Sequence, residues 1–460
     1  MITKEQLQKL KTDDLKSVYK LLRETKEVKV ISFILENLGH LPNDFDTSIF
    51  LLFINHSNSN IRYWAVKNIG KKSNSAYIEL LFNIATNDSD SMIRREAVSS
   101  IGRMRIPESK PFLINLLNDN DPKVVLQAIR GLLVFKDDTL VQEALLELIN
   151  HPNEMIQSVI RREYSNKNIS SEKAQPHPAS PSCLKNVVVH GDVREVLDYV
   201  PDEPIHLTFT SPPYYNARDY SIYQSYKSYL DFLTDVFQKV YRVTKEGRFL
   251  IVNTSPVIIP RVSRAHASKR YPIPFDLHCR LVNSGWEFID DIVWLKPESS
   301  AKNRNAGFLQ HRKPLAYKPN AITEYLMVYR KQTDKLLDWN MNQYDWETIE
   351  KSRVQGDYET SNVWKIDPTF DRVHTAVFPI ELCNRVIRFY SYQGDLVFDP
   401  FGGSGTFGKA AINLNRSFFL TELEKKYIQR IKEDLGNPIL YPHANTRFYE
   451  IEEFKSLEWT

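Results

Sequence analysis

The feature that most constrains this chain is a period. Val30, Ile61, Ile93, Val124 and Ile156 stand 31, 32, 31 and 32 residues apart, and four residues beyond them come Ile34, Ala65, Ala97, Ala128 and Ile160. A spacing of four puts both positions on one helix face, one turn apart. Polar turns at 57–60, 87–90 and 118–121 precede three of them, and their Asn, Asp and Ser residues suit helix N-caps. Further helical stretches at 76–85, 110–117 and 140–149 fall between. Two amphipathic helices per repeat bury their apolar faces only by stacking on the next pair, so residues 1–165 are expected to form an all-α solenoid.

The stretches IRYWAVKNIG, IRREAVSSIG and VVLQAIRGLL resemble HEAT-type repeats, a resemblance that implies binding but names no ligand. Arg62, Arg94 and Arg95 adjoin the repeated positions. They read either as a basic ridge for a nucleic-acid backbone or, with the larger share, as caps on stacking turns. From 166 to 183 the apolar period fails in a Ser-, Lys- and Pro-rich run that reads as a linker. The 60 Lys+Arg and 57 Asp+Glu give a formal charge of +3, so contact with nucleic acid must come from local patches. Cys183, Cys279 and Cys383 lack metal-ligand spacing and read as reduced, buried thiols; no metal is expected. A polar, lysine-rich start and the lack of a long apolar run predict a cytoplasmic protein without a membrane span.

Residues 184–460 read differently. Short apolar strands (LKNVVVH, PIHLTFT, GRFLIVNTS) alternate with helices at 225–241 and 275–283, which argues a largely parallel α/β sheet; WEFIDDIVWLKP and AITEYLMVYRK read as an antiparallel addition to its edge. Two motifs stand at strand ends. The strand HLTFT stops at Ser211-Pro212-Pro213-Tyr214-Tyr215-Asn216, where two prolines end pairing and stiffen a polar-aromatic lip. Alone, a Ser-Pro-Pro turn is an ordinary loop. The second motif is Val397-Phe398-Asp399-Pro400-Phe401-Gly402-Gly403-Ser404-Gly405-Thr406. It follows a strand, opens a helix, and is followed about 20 residues on by a strand ending in Glu422, an order suited to a nucleoside ligand with the acid on ribose hydroxyls. The glycine spacing fits neither Gly-x-Gly-x-x-Gly nor a phosphate-binding Gly-x-x-x-x-Gly-Lys loop.

Ser211-Pro-Pro-Tyr214 resembles the catalytic tetrapeptide of the DNA amino-methyltransferases, and Asp-Pro-Phe-Gly-Gly-Ser-Gly their S-adenosylmethionine loop. With the tetrapeptide ahead of the loop, 184–432 resembles the permuted (beta) kind. The resemblance implies a Rossmann-like S-adenosylmethionine-dependent methyltransferase domain with a mixed, mostly parallel sheet. The implied catalytic residues are Ser211, Pro212, Pro213 and Tyr214, with Tyr214 stacking on the target base, Tyr215 assisting or packing beneath, and Asn216 bracing the loop. The implied cofactor residues are Asp192 near the adenine, Thr375 and Phe378 at the methionine end, and Phe398, Asp399, Phe401, Gly402, Gly403, Ser404, Gly405, Thr406 and Glu422. No catalytic cysteine is expected.

Family members with Ser in the first position tend to act on cytosine N4, and those with Asp on adenine N6. The expectation is therefore a site-specific cytosine-N4 methyltransferase of duplex DNA, using base flipping and direct transfer within a restriction–modification system. The alternatives are an adenine-N6 enzyme, a non-catalytic DNA-binding scaffold, and an RNA or protein methyltransferase. Candidate DNA-recognition segments are 298–318 (Lys302, Arg304, His311, Arg312, Lys313, Lys318) and 331–364. For 298–318 the competing reading is a solvated loop. A basic loop with Arg261, Arg264, Lys269 and Arg270 is expected on phosphates. The solenoid is expected to extend the DNA footprint or to dock a cognate restriction endonuclease.

Overall fold

The computed structural model describes residues 2–164, 177–215, 223–259, 262–263, 265–266, 269–300, 321–333, 335–369, 377–442, 444–457 and 459. It divides into two compact units, Met1–Lys173 and Ala174–Thr460.

In the first unit the period becomes stacked helices. Ser59–Gly70, Ser91–Met104, Pro122–Leu132 and Glu154–Tyr164 carry the repeated pairs, and Ile61, Ile93, Val124 and Ile156 are fully buried together with Ala65, Ala97, Ala128 and Ile160. In Val28–Asn37 the phase slips by one, with Ile31 buried and Val30 at the core margin. The polar turns do cap: Asn58 accepts from the N–H groups of Asn60 and Ile61, Asp90 from Met92, and Asp121 from Lys123. Helices approach closely where side chains vanish; a Cβ on Gly102 would lie 3.1 Å from the Gly131 Cα. Arg62 makes a two-pronged pair with Asp88 at 2.9 Å on each prong, and Arg94 pairs with Asp119 at 3.2 and 3.3 Å. Each arginine thus braces the turn of the following repeat, and these two belong to the stack, not to a free basic ridge.

Among its described residues, the second unit is built on a nine-stranded sheet. Its strands are β1 (Val187–His190), β2 (Ile205–Thr210), β3 (Thr244–Thr254), β6 (Trp286–Leu295), β7 (Thr323–Lys331), β8 (Val363–Lys365), β9 (Leu396–Asp399), β10 (Ser417–Glu422) and β11 (Arg447–Glu450), while β4 (Val257–Ile259) and β5 (Lys269–Tyr271) form a separate hairpin. The order is β11-β1-β10-β9-β2-β3-β7-β6-β8, parallel from β11 to β3, with β7 antiparallel to both β3 and β6. The antiparallel addition therefore inserts beside β3, as the sequence suggested, and β8 closes the far edge parallel to β6.

The central strands are apolar on both faces because helices cover both. Val187, Val189, Leu396, Phe398, Phe419, Leu250 and Val252 face a layer that includes Tyr226–Val243. Val188, Val397, Phe418, Leu420 and Ile251 face another, built on Ile380–Tyr390, Thr406–Asn413 and Lys425–Leu435. This is the period-two alternation of a strand between two cores.

Two boundaries differ from the sequence reading. Residues 177–183, read as linker, pack on the sheet unit: Ser180 Oγ donates to the Pro204 carbonyl at 2.6 Å, Lys245 Nζ to that of Pro178 at 2.5 Å, and Cys183 and Leu184 are buried. Residues 331–333 and 335–345, part of one candidate DNA segment, pack at the amino-terminal end of the parallel strands, where Asn340 donates to the Gly247 carbonyl and Tyr344 to Asp395. Buried polar groups needing partners hold them there. Of the cysteines, Cys279 is exposed, against the expectation of a buried thiol.

Asp395, just before β9, is fully enclosed. It pairs with Arg248 of β3, accepts from the Tyr344 hydroxyl at 2.5 Å, and faces His206 Nε2 of β2 at 3.4 Å, while His206 Nδ1 accepts the Leu396 N–H at 3.0 Å. Burial pushes the His206 pKa down to about 3, against the pull of Asp395. Unfolded, this imidazole titrates near 6.5, so between those values the unfolded chain binds more protons. The stabilisation is complete above about pH 6.5 and declines as pH falls towards 3. His206→Gln keeps an acceptor and a donor but does not titrate. Urea unfolding of this variant at pH 7 and pH 5 is expected to show a smaller drop in midpoint than the parent, with unchanged m-values.

Candidate active site

Parallel α/β sheets place ligands outside the carboxyl ends of their strands. Here the ends of β1, β10, β9, β2 and β3 converge on a cavity of about 560 Å³. Ser211, Pro212, Pro213 and Tyr214 leave β2 and line it; Asp399, Phe401, Gly402, Gly403, Ser404 and Thr406 line it from the loop after β9, Glu422 from the end of β10, Asp192 from beyond β1, and Phe378 from ahead of the helix Ile380–Tyr390. The two motifs, almost 190 residues apart in sequence, meet because β2 and β9 are neighbours, with Leu207 opposite Val397. The Thr210 hydroxyl, one residue before the serine, donates to Asp399 Oδ1 at 2.7 Å and fastens one motif to the other.

The glycine loop is held by its own backbone. Gly402 N–H donates to the Thr421 carbonyl at 2.9 Å, Gly405 N–H to that of Gly402 at 2.8 Å, and Gly403 N–H to Glu422 Oε2 at 2.8 Å. Gly403 and Gly405 have φ of 53° and 73°, in the left-handed region that glycine enters without strain. Glu422 also accepts the Glu424 N–H, at 2.7 Å. Burial nonetheless raises its pKa to about 7, and burial lifts Asp399 to about 6 against the hydrogen bond from Thr210.

Two of the expected cofactor residues, Phe398 and Gly405, stay out of the cavity. Phe398 is turned into the core, stacked on Phe419 at 4.9 Å, and does not reach the cavity; alternation along β9 sends it to the opposite side from Val397. Gly405 shapes the loop as the N-cap of Thr406–Asn413 and does not line the cavity either. Asp192 lines it, but both its oxygens are engaged by Arg194, at 3.1 and 2.7 Å, and it caps Val193–Tyr199. Tyr215 packs beneath the lip against Tyr271, Tyr226 and Tyr229, with centroids 5.0, 5.4 and 5.7 Å away. Tyr214 is anchored by its hydroxyl, which donates to Glu324 Oε2 at 3.0 Å, and burial raises its pKa. Lys269 and Arg270 are exposed on the β4–β5 hairpin, beyond the carboxyl end of β3. Asn216, Arg261, Arg264, Lys302, Arg304, His311, Arg312, Lys313, Lys318 and Thr375 lie outside the described residues.

Sequence reasoning missed Asn253, Trp294, Lys296 and Glu324, which wall the cavity from β3, the β6 end and β7, and the aromatic Tyr223, Phe232 and Tyr427. A charged residue within each of the apolar runs WLKP and ITEYLMV was the available signal.

An S-adenosylmethionine-sized nucleoside fits this donor set. Glu422 offers a carboxylate for a diol, Ser404 and Thr406 offer hydroxyls, and Phe378, Phe401 and Phe407 offer apolar walls. The fold and site define the class as Rossmann-like methyltransferases. Residues 205–433 match the DNA methylase family, and 47–133 match HEAT repeats. Among curated proteins, the chain is 28% identical over 298 residues to the type II methyltransferase M.Cfr9I of Citrobacter freundii, covering 57% of this chain and 92% of that one. It is 28% identical over 251 residues to the type II beta methyltransferase M.BslI of a Bacillus species, covering 53% of this chain but only 26% of the relative. A solved structure of a putative DNA modification methylase from Thermus thermophilus, complexed with S-adenosyl-L-methionine, aligns at 27% identity over 58% of this chain and 97% of that one, with a TM-score of 0.46. No helix among the described residues is long and apolar enough to cross a membrane.

The loop geometry has a direct consequence. A Cβ on Gly405 would lie 3.2 Å from Ile431 Cγ1 as well as demanding a left-handed backbone. Gly405→Ala is expected to cost about 1–2 kcal/mol in urea unfolding and to weaken S-adenosylmethionine binding measured by calorimetry.

Proposed function

We propose that this protein is a DNA methyltransferase that uses S-adenosylmethionine to methylate the exocyclic N4 of cytosine in a specific duplex sequence, as the modification half of a restriction–modification system. The observation that carries the reading is the opening of Ser211 and the Asp399–Ser404 loop into one cavity from adjacent strands. The match of 205–433 to the DNA methylase family and relatives named type II methyltransferases support it. The choice of cytosine over adenine rests on the serine of the tetrapeptide.

Bound S-adenosylmethionine would supply a methyl group on a positively charged sulfur, open to direct displacement. The chain's residues do the rest. Glu422 would accept the ribose hydroxyls, and Phe378 and Phe401 would exclude water around the cofactor. An exocyclic amine is a poor nucleophile because its lone pair is spread into the ring. Ser211 Oγ and the Pro212 carbonyl would accept its hydrogens and free that lone pair, with proximity contributing most of the rate. The cavity lies outside the strand ends, where a base stacked in a duplex cannot reach, so the target nucleotide must flip out. Lys269 and Arg270 on the hairpin would meet phosphates beside it.

Mass spectrometry of nucleosides from DNA incubated with protein and methyl-labelled S-adenosylmethionine tests this. Labelled N4-methylcytosine, lost in Ser211→Ala, is expected. N6-methyladenine would overturn the base assignment, and label absent from DNA would overturn the function. A second expectation concerns pH. A ribose diol prefers an ionised Glu422, whose pKa is raised to about 7, so cofactor affinity should fall as pH drops below 7, approaching tenfold per unit. Calorimetric titration between pH 6 and pH 8 should show this slope, and Glu422→Gln should bind more weakly and without it.

A further inference from the structure

The wall of the cavity opposite the glycine loop holds a carboxylate that the reaction outlined above does not use. Glu324 stands at the start of β7, opposite Trp294 of β6, with its side chain 14% exposed. It collects donors from three other elements. Lys296, beyond β6, forms an ion pair with Oε1; Asn253 Nδ2 of β3 donates to Oε2 at 2.6 Å; and the Tyr214 hydroxyl donates to the same oxygen at 3.0 Å. Asn253 Nδ2 also lies 3.4 Å from Ser211 Oγ. All five residues line the one cavity.

A carboxylate accepts and does not donate, so Glu324 dictates which way the Asn253 amide faces. The nitrogen points to Glu324 and Ser211, and the oxygen points away. That Oδ1 is buried and has no hydrogen-bond partner among the described residues, on a residue only 1% exposed. Buried polar atoms are almost always paired, so the unpaired oxygen is a cost that the donation from Nδ2 to Glu324 offsets. A purely structural pair linking β6 and β7 would need neither Asn253 nor Tyr214 on the same oxygen.

We propose that Glu324 is a positioning residue of the methyl-transfer site: it fixes Asn253 and Tyr214, and through them the Ser211 hydroxyl, in the orientation that meets the target amine, with Lys296 as its countercharge. This rests on the function proposed above. Asn253→Asp would set a second carboxylate against Glu324 and abolish the hydrogen bond between them, because neither ionised group donates. Combining it with Glu324→Gln restores a complementary pair, the new amide nitrogen facing the new carboxylate and Tyr214, and the amide oxygen facing Lys296.

The experiment measures single-turnover methyl transfer to DNA at saturating cofactor, together with S-adenosylmethionine affinity and the thermal midpoint, for the parent, Asn253→Asp, Glu324→Gln and the double variant. Asn253→Asp should be about 100-fold slower with cofactor affinity within about twofold, and the double variant should recover to within about tenfold of the parent. Asn253→Asp at the parental rate overturns the proposal, as does a folded, cofactor-binding double variant no faster than Asn253→Asp. Should Asn253→Asp not fold, the double variant decides: near-parental transfer supports the proposal and slow transfer overturns it. A parent that binds cofactor and leaves DNA unlabelled sinks the functional reading itself, and this proposal with it.

Discussion

The arrangement of the site depends on a cluster at the far end of the sheet from it. Asp395 is buried against Arg248, His206 and Tyr344, which belong to β3, β2 and the turn after the helix Leu337–Met341. A buried carboxylate is tolerated only when paired and hydrogen-bonded, and this one is satisfied only when those strands stand side by side in a single register. Removing one partner would leave charge uncompensated in the core. The cluster therefore specifies which strands are neighbours, and adjacency of β2 and β9 is what brings the tetrapeptide to the glycine loop. At the other end of the same strand pair, Thr210 and Asp399 repeat the fastening with a single hydrogen bond.

Between those two fastenings the strands are apolar on both faces, and their packing resists sliding. The polar atoms at the carboxyl ends are then held by backbone, not by flexible side chains: Glu422 receives two main-chain N–H groups, and Gly402 is tied to β10 through Thr421. Burial raises the pKa of both acids despite those bonds. A carboxylate kept part-way to neutrality in a dry cleft gains from a ligand that brings donors to it, which is the reverse of the situation at Asp395, whose donors are already present.

How much of this could be read in advance depends on where the information lay. The solenoid was legible because its burial pattern is local: Ile61, Ile93 and Val124 recur at the spacing at which they stack. The glycine loop and the tetrapeptide were legible because proline and glycine restrict backbone directly. Phe398 was misjudged because its direction follows from strand alternation, and the ion pair of Asp192 with Arg194, two residues on, was not foreseen. The wall formed by Asn253, Lys296 and Glu324 could not be assembled from sequence, since it needs β7 to insert between β3 and β6. The residues 177–183 looked like linker by composition, yet Ser180 and the Pro178 carbonyl complete hydrogen bonds in the sheet unit that composition cannot reveal.

Charge is used differently in the two units, and that bears on where DNA would be met. In the solenoid, Arg62 and Arg94 are committed to aspartates of the following turn, and Lys110 to Asp138 at 2.6 Å. A guanidinium held by two carboxylate oxygens is not released to a phosphate without cost, because the aspartate left behind would lose its partner in a half-buried place. The solenoid's repeated basic positions are thus structural, whatever surface the repeats present. In the sheet unit, Lys269 and Arg270 stand exposed on the hairpin, outside any ion pair among the described residues and next to the strand end that carries Asn253. Cations left unneutralised beside that strand end create a local field that a net charge of +3 could not supply.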